Sequence, residues 1–169
     1  MRAIRLLMIP MTAALLLPAS AAEESRPCTS PAYRQFDFWI GEWEVRTPDG
    51  ALAGTNRITS IQGGCGLQEN WAGTDGMTGT SLNAYDATRG RWHQTWVDSR
   101  GSILLLEGQF KDGKMTLGGS RRSPRGGTVQ DRITWETASG GVVHQLWEQS
   151  TDGGKSWTVA LDGRYTRKR

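Results

Sequence analysis

Turn-forming pairs that contain glycine divide this chain into short segments, and their regular recurrence limits the possible folds more than any other feature. They occur at Asp49-Gly50, Gly63-Gly64, Asp112-Gly113, Gly126-Gly127, Gly140-Gly141 and Asp152-Gly153-Gly154. Glycine readily adopts the positive φ that tight hairpin turns require. The runs between these breaks are rich in Trp, Val, Ile, Thr and Tyr, residue types that favour β-strands. The pattern therefore predicts successive antiparallel hairpins.

The hairpin pattern predicts an all-β fold of about ten strands. After a short helical or irregular lead-in at 31–38, the expected strands lie near residues 41–48, 52–61, 66–73, 78–86, 91–99, 102–110, 114–121, 128–137, 141–150 and 156–166. No long segment beyond residue 22 shows the 3.6-residue period of an amphipathic helix. A meander of ten strands hides both of its edges most simply by closing, so we expect a closed antiparallel barrel.

The first 22 residues have the three-part pattern of a secretory signal peptide. Arg2 and Arg5 give a positive start, residues 6–17 an apolar core, and residues 18–22 a cleavage zone of mostly small residues. The apolar run is shorter than a membrane span, which takes about 20 residues. Cys28 follows Arg and Pro rather than small residues, so we expect neither a membrane span nor a lipid anchor.

Export predicts a protein of the periplasm or of the extracellular space, and the sequence does not choose between them. The predicted organisation is a signal peptide at 1–22, a lead-in at 23–35 and a single barrel domain at 36–169. Without Arg2 and Arg5, 18 of the 20 basic residues remain and face 17 acidic ones. This near-neutral balance argues against a nucleic-acid partner, which favours a pronounced basic patch. The oligomeric state is not predicted.

The chain has two cysteines, Cys28 and Cys65. An oxidising compartment allows such a pair to persist as a disulfide, which we favour over two free thiols. The bridge would close a loop of about 38 residues and would contribute roughly 4 kcal/mol in the chain-entropy account. A catalytic cysteine is the less favoured alternative, because neither residue has a His or Asp near it in the sequence.

Alternation within residues 91–98 suggests what the barrel contains. Trp92, Gln94, Trp96 and Asp98 share one face of this strand. Two indoles together with an amide and a carboxylate suit a partly polar cavity. A dry core with the polar pair at the strand ends is the alternative, and both interpretations stay open.

Residues 36–45 contain the string Gly41-Glu42-Trp43 at the start of the first strand. This string resembles the start of lipocalin-type (calycin) barrels, in which a short helical turn plugs one end and the Trp packs beneath it. The resemblance implies that an Arg from the end of the chain stacks on Trp43 in a cation–π contact, and Arg164 or Arg167 could supply it.

Three longer strings, at 36–45, 63–71 and 85–99, together resemble the DUF1579-like family of exported bacterial proteins of unknown function. The resemblance extends over nearly all of the chain after the signal peptide. It implies a lipocalin-like barrel and no particular activity.

Residues 150–157 match the Asp-box of sialidase propellers, S-x-D-x-G-x-[ST]-W. The motif occurs once in a chain too short for several propeller blades, so we interpret it as a structural hairpin turn. Asp152 is expected to accept hydrogen bonds from turn amides, and Trp157 to pack under the loop.

No cofactor or metal is predicted. The two histidines are distant in the sequence, and no cluster of metal-ligating residue types is apparent. The haem-binding nitrobindin group, which shares the expected fold, ligates iron through a late His. Here His144 is the only late candidate, and its neighbours do not match that group's motif, so haem is not expected.

Three functions follow as hypotheses. The first is a non-enzymatic binder that holds a small, partly apolar molecule in the barrel. The residues expected to line that site include some of Trp71, Tyr85, Trp92, Gln94, Trp96, Trp135 and Trp147. The second is an enzyme that uses a lumen carboxylate, with Glu69, Asp98 and His144 as the residues to watch. The third is an envelope interaction module, which would combine a solid barrel with an exposed apolar patch.

Overall fold

A computed structural model describes residues 27–124 and 126–168, and these residues form an all-β domain. The ten strands are β1 Gly41–Arg46, β2 Leu52–Ile61, β3 Gly66–Gly73, β4 Thr78–Asp86, β5 Arg91–Asp98, β6 Ile103–Lys111, β7 Lys114–Arg122, β8 Thr128–Thr137, β9 Val143–Ser150 and β10 Thr158–Arg167. Short 3-10 helices lie at Pro31–Arg34, Asp37–Trp39, Gln62–Gly64 and Ser139–Gly141. The predicted signal peptide at 1–22 lies outside the described residues.

The sheet closes on itself as an antiparallel barrel. Each strand pairs with its neighbours in the chain, and β1 pairs with β10, where Trp43 lies opposite Arg167. Closure removes the two open edges that a ten-stranded meander would otherwise expose. The predicted fold class is confirmed, and every predicted strand agrees with the structure to within two residues at each end.

The connection between β6 and β7 shows how the predicted turns work. Lys111 pairs with Lys114, which leaves a two-residue loop of Asp112 and Gly113. Both residues have positive φ, at 52° and 78°. This backbone matches the right-handed twist of the strands it joins, and Asp and Gly tolerate it best.

The N-terminal lead-in closes one end of the barrel. Phe36 and Trp39 are fully buried there and stack with ring centroids 4.9 Å apart. Phe36 also meets the edges of Trp92 and Trp135, at 5.7 and 5.2 Å. The helical plug expected from the Gly-x-Trp string is therefore confirmed.

A disulfide between Cys28 and Cys65 ties this plug to the connection between β2 and β3, as predicted. Arg34 adds a second tie at the same place, because its guanidinium donates a hydrogen bond to the carbonyl of Gly64. The lead-in is thus held to the barrel both covalently and by a charged group.

The expected cation–π contact is present at the same end of the barrel. The guanidinium of Arg167 lies over the indole of Trp43, 4.5 Å from its centroid, so Arg167 rather than Arg164 supplies this contact. The indole N–H of Trp43 donates to the carbonyl of Trp39 at 2.9 Å. The first strand, the last strand and the plug therefore meet at one residue.

The Asp-box forms the hairpin turn between β9 and β10. Asp152 accepts hydrogen bonds from the backbone N–H groups of Lys155 and Ser156, at 2.9 and 3.0 Å. Trp157 donates to the carbonyl of Gly154 at 3.1 Å. Asp152 therefore accepts hydrogen bonds from turn amides, as expected if the motif is a structural hairpin turn.

None of the helices in 27–124 and 126–168 is long and apolar enough to cross a membrane.

Replacing both cysteines with serine is expected to lower the free energy of unfolding by about 4 kcal/mol, because the unfolded chain regains the entropy of the open loop. Urea unfolding followed by tryptophan fluorescence measures this difference. The wild-type protein treated with a reductant serves as the control and should match the Cys28→Ser/Cys65→Ser variant. An unchanged unfolding midpoint in both would contradict the expectation.

Candidate functional site in the barrel lumen

The end of the barrel opposite the plug contains a cavity of about 270 Å³. Its aromatic wall consists of Trp71, Trp96, Trp135, Trp147 and Tyr165. Its aliphatic and sulfur-containing side chains are Ala53, Met77, Leu104, Ile133, Ala160 and Leu161. Polar groups enter from Glu69, Asp75, Gln94 and Gln145. The cavity is therefore mainly apolar, with a few polar groups, as small-molecule sites usually are.

Glycines make room for the indoles of the wall. A side chain at Gly79 would place its Cβ 2.1 Å from the ring of Trp96, and one at Gly54 would lie 2.8 Å from the ring of Trp71. The ring of Trp96 therefore lies against the backbone of Gly79, and the ring of Trp71 against the backbone of Gly54. Any residue other than glycine at these two positions would place a side chain where the ring lies.

Glu69 is buried among polar side chains inside the barrel, with 5% of its surface exposed. Strand alternation places it on the same face of β3 as Leu67 and Trp71. Asn56 donates a hydrogen bond to Oε1 at 2.7 Å, and Ser81 donates to Oε2 at 2.6 Å. Both carboxylate oxygens therefore have a partner, but neither partner is a cation.

A chain of hydrogen bonds leads to Glu69 from β5. Gln94 donates to Asn83 at 2.7 Å, Asn83 donates to Ser81 at 2.9 Å, and Ser81 donates to Glu69. All donors in this chain point toward the carboxylate. The network fixes the orientation of the Gln94 side chain, which is 2% exposed and lines the cavity.

On the other side of Glu69, Asn56 approaches the hydroxyl of Tyr165 at 3.4 Å, and that hydroxyl donates to the carbonyl oxygen of Gln145. Burial raises the pKa of Tyr165, and the nearby charge of Glu69 raises it further, so the phenol stays protonated.

Burial raises the pKa of Glu69 to about 7, although the hydrogen bonds from Ser81 and Asn56 oppose the shift. Desolvation dominates because no cation compensates the charged form. The carboxyl group therefore changes charge near neutral pH while facing the cavity.

A second buried carboxylate, Asp131, has a different environment. Arg121 donates to it at 2.9 Å, and so do the indole of Trp147 and the amide of Gln149, each at 2.9 Å. Arg121 neutralises its charge, and the carboxylate in turn fixes the Trp147 ring in the cavity wall. Asp131 is thus a positioning group for the wall.

Three buried polar atoms near the cavity have no hydrogen-bond partner among the described residues. They are Asn56 Oδ1, Trp71 Nε1 and Trp135 Nε1. A buried group without a partner costs about 1–3 kcal/mol, so the two indole N–H groups, which belong to residues that line the cavity, are candidate contacts for a polar atom of a bound molecule.

Of the seven residues predicted to line a ligand site, five line the cavity: Trp71, Gln94, Trp96, Trp135 and Trp147. The other two lie at the plugged end. Trp92 is packed against Phe36 and donates to Gln35 at 3.1 Å, and Tyr85 packs against Tyr33 at 5.3 Å. Alternation placed them on the correct face but did not show at which end the cavity would be.

The three residues suggested for an enzyme do not converge. Glu69 faces the lumen, whereas Asp98 accepts from the backbone N–H groups of Arg100 and Ser102, both at 2.9 Å, in the turn after β5. Burial opposes ionisation of Asp98, but the hydrogen bonds outweigh it, so its pKa lies below the ordinary value. His144 lies on the outer face and contacts Asp162 at 2.9 Å.

The interaction-module hypothesis required a solid barrel and an exposed apolar patch. The outer face of β4, β5 and β6 does expose four aliphatic side chains: Leu82, Val97, Ile103 and Leu105. The barrel, however, contains the cavity described above. Only one of the two required features is present.

Sequence reasoning missed Tyr165 and Gln145 as parts of the site. The alternation around Trp147 on β9 places Gln145 on the same face, so that signal was available. Tyr165 needed the pairing of β10 with β9 and β1, which only barrel closure provides.

The residues that most often hold a metal or haem are not gathered in the lumen. His93 contacts Thr95 at 2.9 Å on the outer face, where His144 also lies. In the described part of the chain, no group of three or more His, Cys, Asp or Glu side chains could hold a metal ion.

Comparison with protein-family models and with curated proteins finds no match to this chain.

Gly79→Ala is expected to lower the free energy of unfolding by about 1–3 kcal/mol, because the new Cβ displaces the Trp96 ring from the cavity wall. Urea unfolding measures the loss, and near-UV circular dichroism reports the indole. Gly118→Ala is the matched control, since its Cβ would face the exposed side of β7 with its nearest atom 3.3 Å away. Equal stability and equal spectra of the two variants would contradict the packing described.

The raised pKa of Glu69 predicts that this residue makes the folded state less stable as pH rises. Between the unfolded value of 4.5 and the folded value of about 7, the folded state binds more protons than the unfolded state. The contribution of Glu69 to the free energy of unfolding therefore has its full value below pH 4.5. As the pH rises through 7, this contribution falls by on the order of 3 kcal/mol.

Urea unfolding of the wild type and of Glu69→Gln at pH 5 and pH 8 isolates this contribution, because other groups titrate equally in both. The stability of Glu69→Gln relative to the wild type should increase from pH 5 to pH 8. A difference that does not change with pH would show that the pKa of Glu69 is not raised.

Proposed function

We propose that this protein is an exported small-ligand-binding barrel that holds a small, partly apolar molecule in its lumen, and that it belongs with the DUF1579-like proteins its sequence resembles. The observation that carries the proposal is the cavity of about 270 Å³, walled by four indoles and a phenol, at the end opposite the plug.

The volume and the wall suit a small ligand. Sites for drug-sized molecules usually measure about 300–1,000 Å³, so a cavity slightly below this range favours a smaller molecule. Trp71, Trp96 and Trp147 are only partly buried and offer flat apolar surfaces near the mouth. Aromatic groups of this size contribute strongly to binding because each covers a large area with few rotatable bonds.

The polar groups are placed to orient a ligand. Gln94 and Gln145 are held by hydrogen bonds to Asn83 and Tyr165, so their positions are set before any molecule binds. Glu69 adds a carboxyl group that can accept or donate according to its protonation. A preformed site of this kind loses little entropy on binding.

Export is supported by the disulfide, because such bonds persist in oxidising compartments. The signal-peptide pattern of residues 1–22 supports it independently. Periplasmic or extracellular localisation is part of the proposal.

Replacing two native alanines, one at a time, with phenylalanine tests binding in the lumen. Ala53 lines the cavity, whereas Ala72, on the strand that pairs with β2, is exposed on the outer face. The neutral fluorophore N-phenyl-1-naphthylamine, which emits strongly only in apolar surroundings, is titrated into the wild type, Ala53→Phe and Ala72→Phe. We expect saturable binding to the wild type and to Ala72→Phe, and at least about tenfold weaker binding to Ala53→Phe.

Circular dichroism and unfolding curves establish that both variants are folded. Absence of saturable binding to the wild type, or equal binding to Ala53→Phe and Ala72→Phe, would overturn the proposed function.

A further inference from the structure

The charged groups of the cavity wall all have the same sign. Its lining includes the carboxyl groups of Glu69 and Asp75 and no Lys, Arg or His side chain among the described residues. Asp75 is paired with Arg100 at 2.7 Å, on the exposed surface of the mouth. Glu69 has no cationic partner, so it is the one wall carboxylate whose charge the fold leaves uncompensated.

Glu69 retains capacity for a ligand. An ionised carboxylate offers about four lone-pair sites, and the network uses one on each oxygen, from Asn56 and Ser81. The side-chain oxygen of Asn56 is itself a buried acceptor without a partner. Of these two neighbouring acceptor groups, the carboxylate of Glu69 is the one that lines the cavity.

Indole rings form much of the remaining wall. The faces of Trp, and to a smaller extent of Tyr, attract cations through the ring quadrupole, and the attraction is stronger where the ring and the cation are shielded from water. The cavity brings together Trp71, Trp96, Trp135 and Trp147 with Tyr165. A wall of indoles that contains a carboxylate is the arrangement that suits an organic cation.

We propose that the ligand of the lumen is a small organic cation, an amine or quaternary ammonium group on a short partly apolar chain, with its charge placed between Glu69 and the indoles. This inference rests on the proposed lumen-binding function and specifies its ligand class. An anion would be repelled by the ionised Glu69 with no cation in the wall to offset it, and a neutral ligand could donate a hydrogen bond to Glu69 but would leave its charge uncompensated.

Three soluble molecules of similar shape and different charge test the inference. They are choline, its neutral carbon analogue 3,3-dimethyl-1-butanol, and the anion 3,3-dimethylbutanoate. Titration calorimetry at pH 8, where Glu69 is mainly ionised, should show choline binding at least about tenfold more tightly than the alcohol, and the anion binding most weakly.

Glu69→Gln removes the charge and keeps a side chain of nearly the same shape. In this variant we expect choline and the alcohol to bind with affinities within about threefold of each other. Glu44→Gln is the matched control, because Glu44 projects from the exposed face of β1, and it should keep the preference for choline. Trp96→Leu should also weaken choline more than the alcohol.

A pH series supplies a readout that a merely structural role would not move. The charge of choline is permanent, so a change in its affinity reports the protein. The side chains that face Glu69 from β2 and β4 are Asn56, Ile58, Ser81 and Asn83, and none of them titrates. From β10, Tyr165 faces it and stays protonated, while Asp75 and Asp98 have lowered pKa values. Choline affinity should fall about tenfold from pH 8 to pH 5.5 in the wild type and stay constant in Glu69→Gln.

The outcomes separate this inference from the proposed function. If N-phenyl-1-naphthylamine binds in the lumen but the protein prefers the alcohol, or binds none of the three analogues, the cation inference is overturned and the proposed function stands. If the fluorophore also fails to bind, the proposed function is overturned with it. A preference for choline that survives in Glu69→Gln would likewise contradict the assignment of Glu69 as its counter-charge.

Discussion

The pairing of the first strand with the last is the contact on which the rest of the molecule depends. Trp43 lies opposite Arg167 in that pairing and beneath its guanidinium, while its N–H reaches the plug at Trp39. This one residue joins both ends of the sheet to the lead-in. Without closure there would be two open edges, no enclosed lumen, and no reason for Tyr165 on the last strand to meet Asn56 on the second.

Inside the closed barrel, Glu69 is a buried carboxylate whose charge no cation compensates. A buried carboxylate normally has a cation beside it, as Asp131 has Arg121. Glu69 has only neutral donors, which satisfy its oxygens without compensating its charge, and burial therefore raises its pKa to about 7. The fold retains an uncompensated acid in the wall of its cavity, and groups of this kind are commonly found at functional sites.

The fold was predictable because its determinants are local. Turn pairs such as Asp112 and Gly113 set the strand limits, and a period of two sets the faces. The site was predictable only in part. Alternation identified the inward face of β5 but could not show that Trp92 serves the plug while Trp96 serves the cavity. On β9 the same rule separates His144 from Trp147, because they are an odd number of positions apart and cannot both face the lumen.

Trp135 belongs both to the packing of the plug and to the wall of the cavity. Its ring packs against Phe36 and Trp39 of the plug on one side and lines the cavity on the other. The floor of the cavity is therefore supported from below by a segment that the Cys28–Cys65 bond fastens in place. The Cys28–Cys65 bond and the depth of the cavity are thus linked, because a shift of the plug would move the ring of Trp135 that forms the cavity floor.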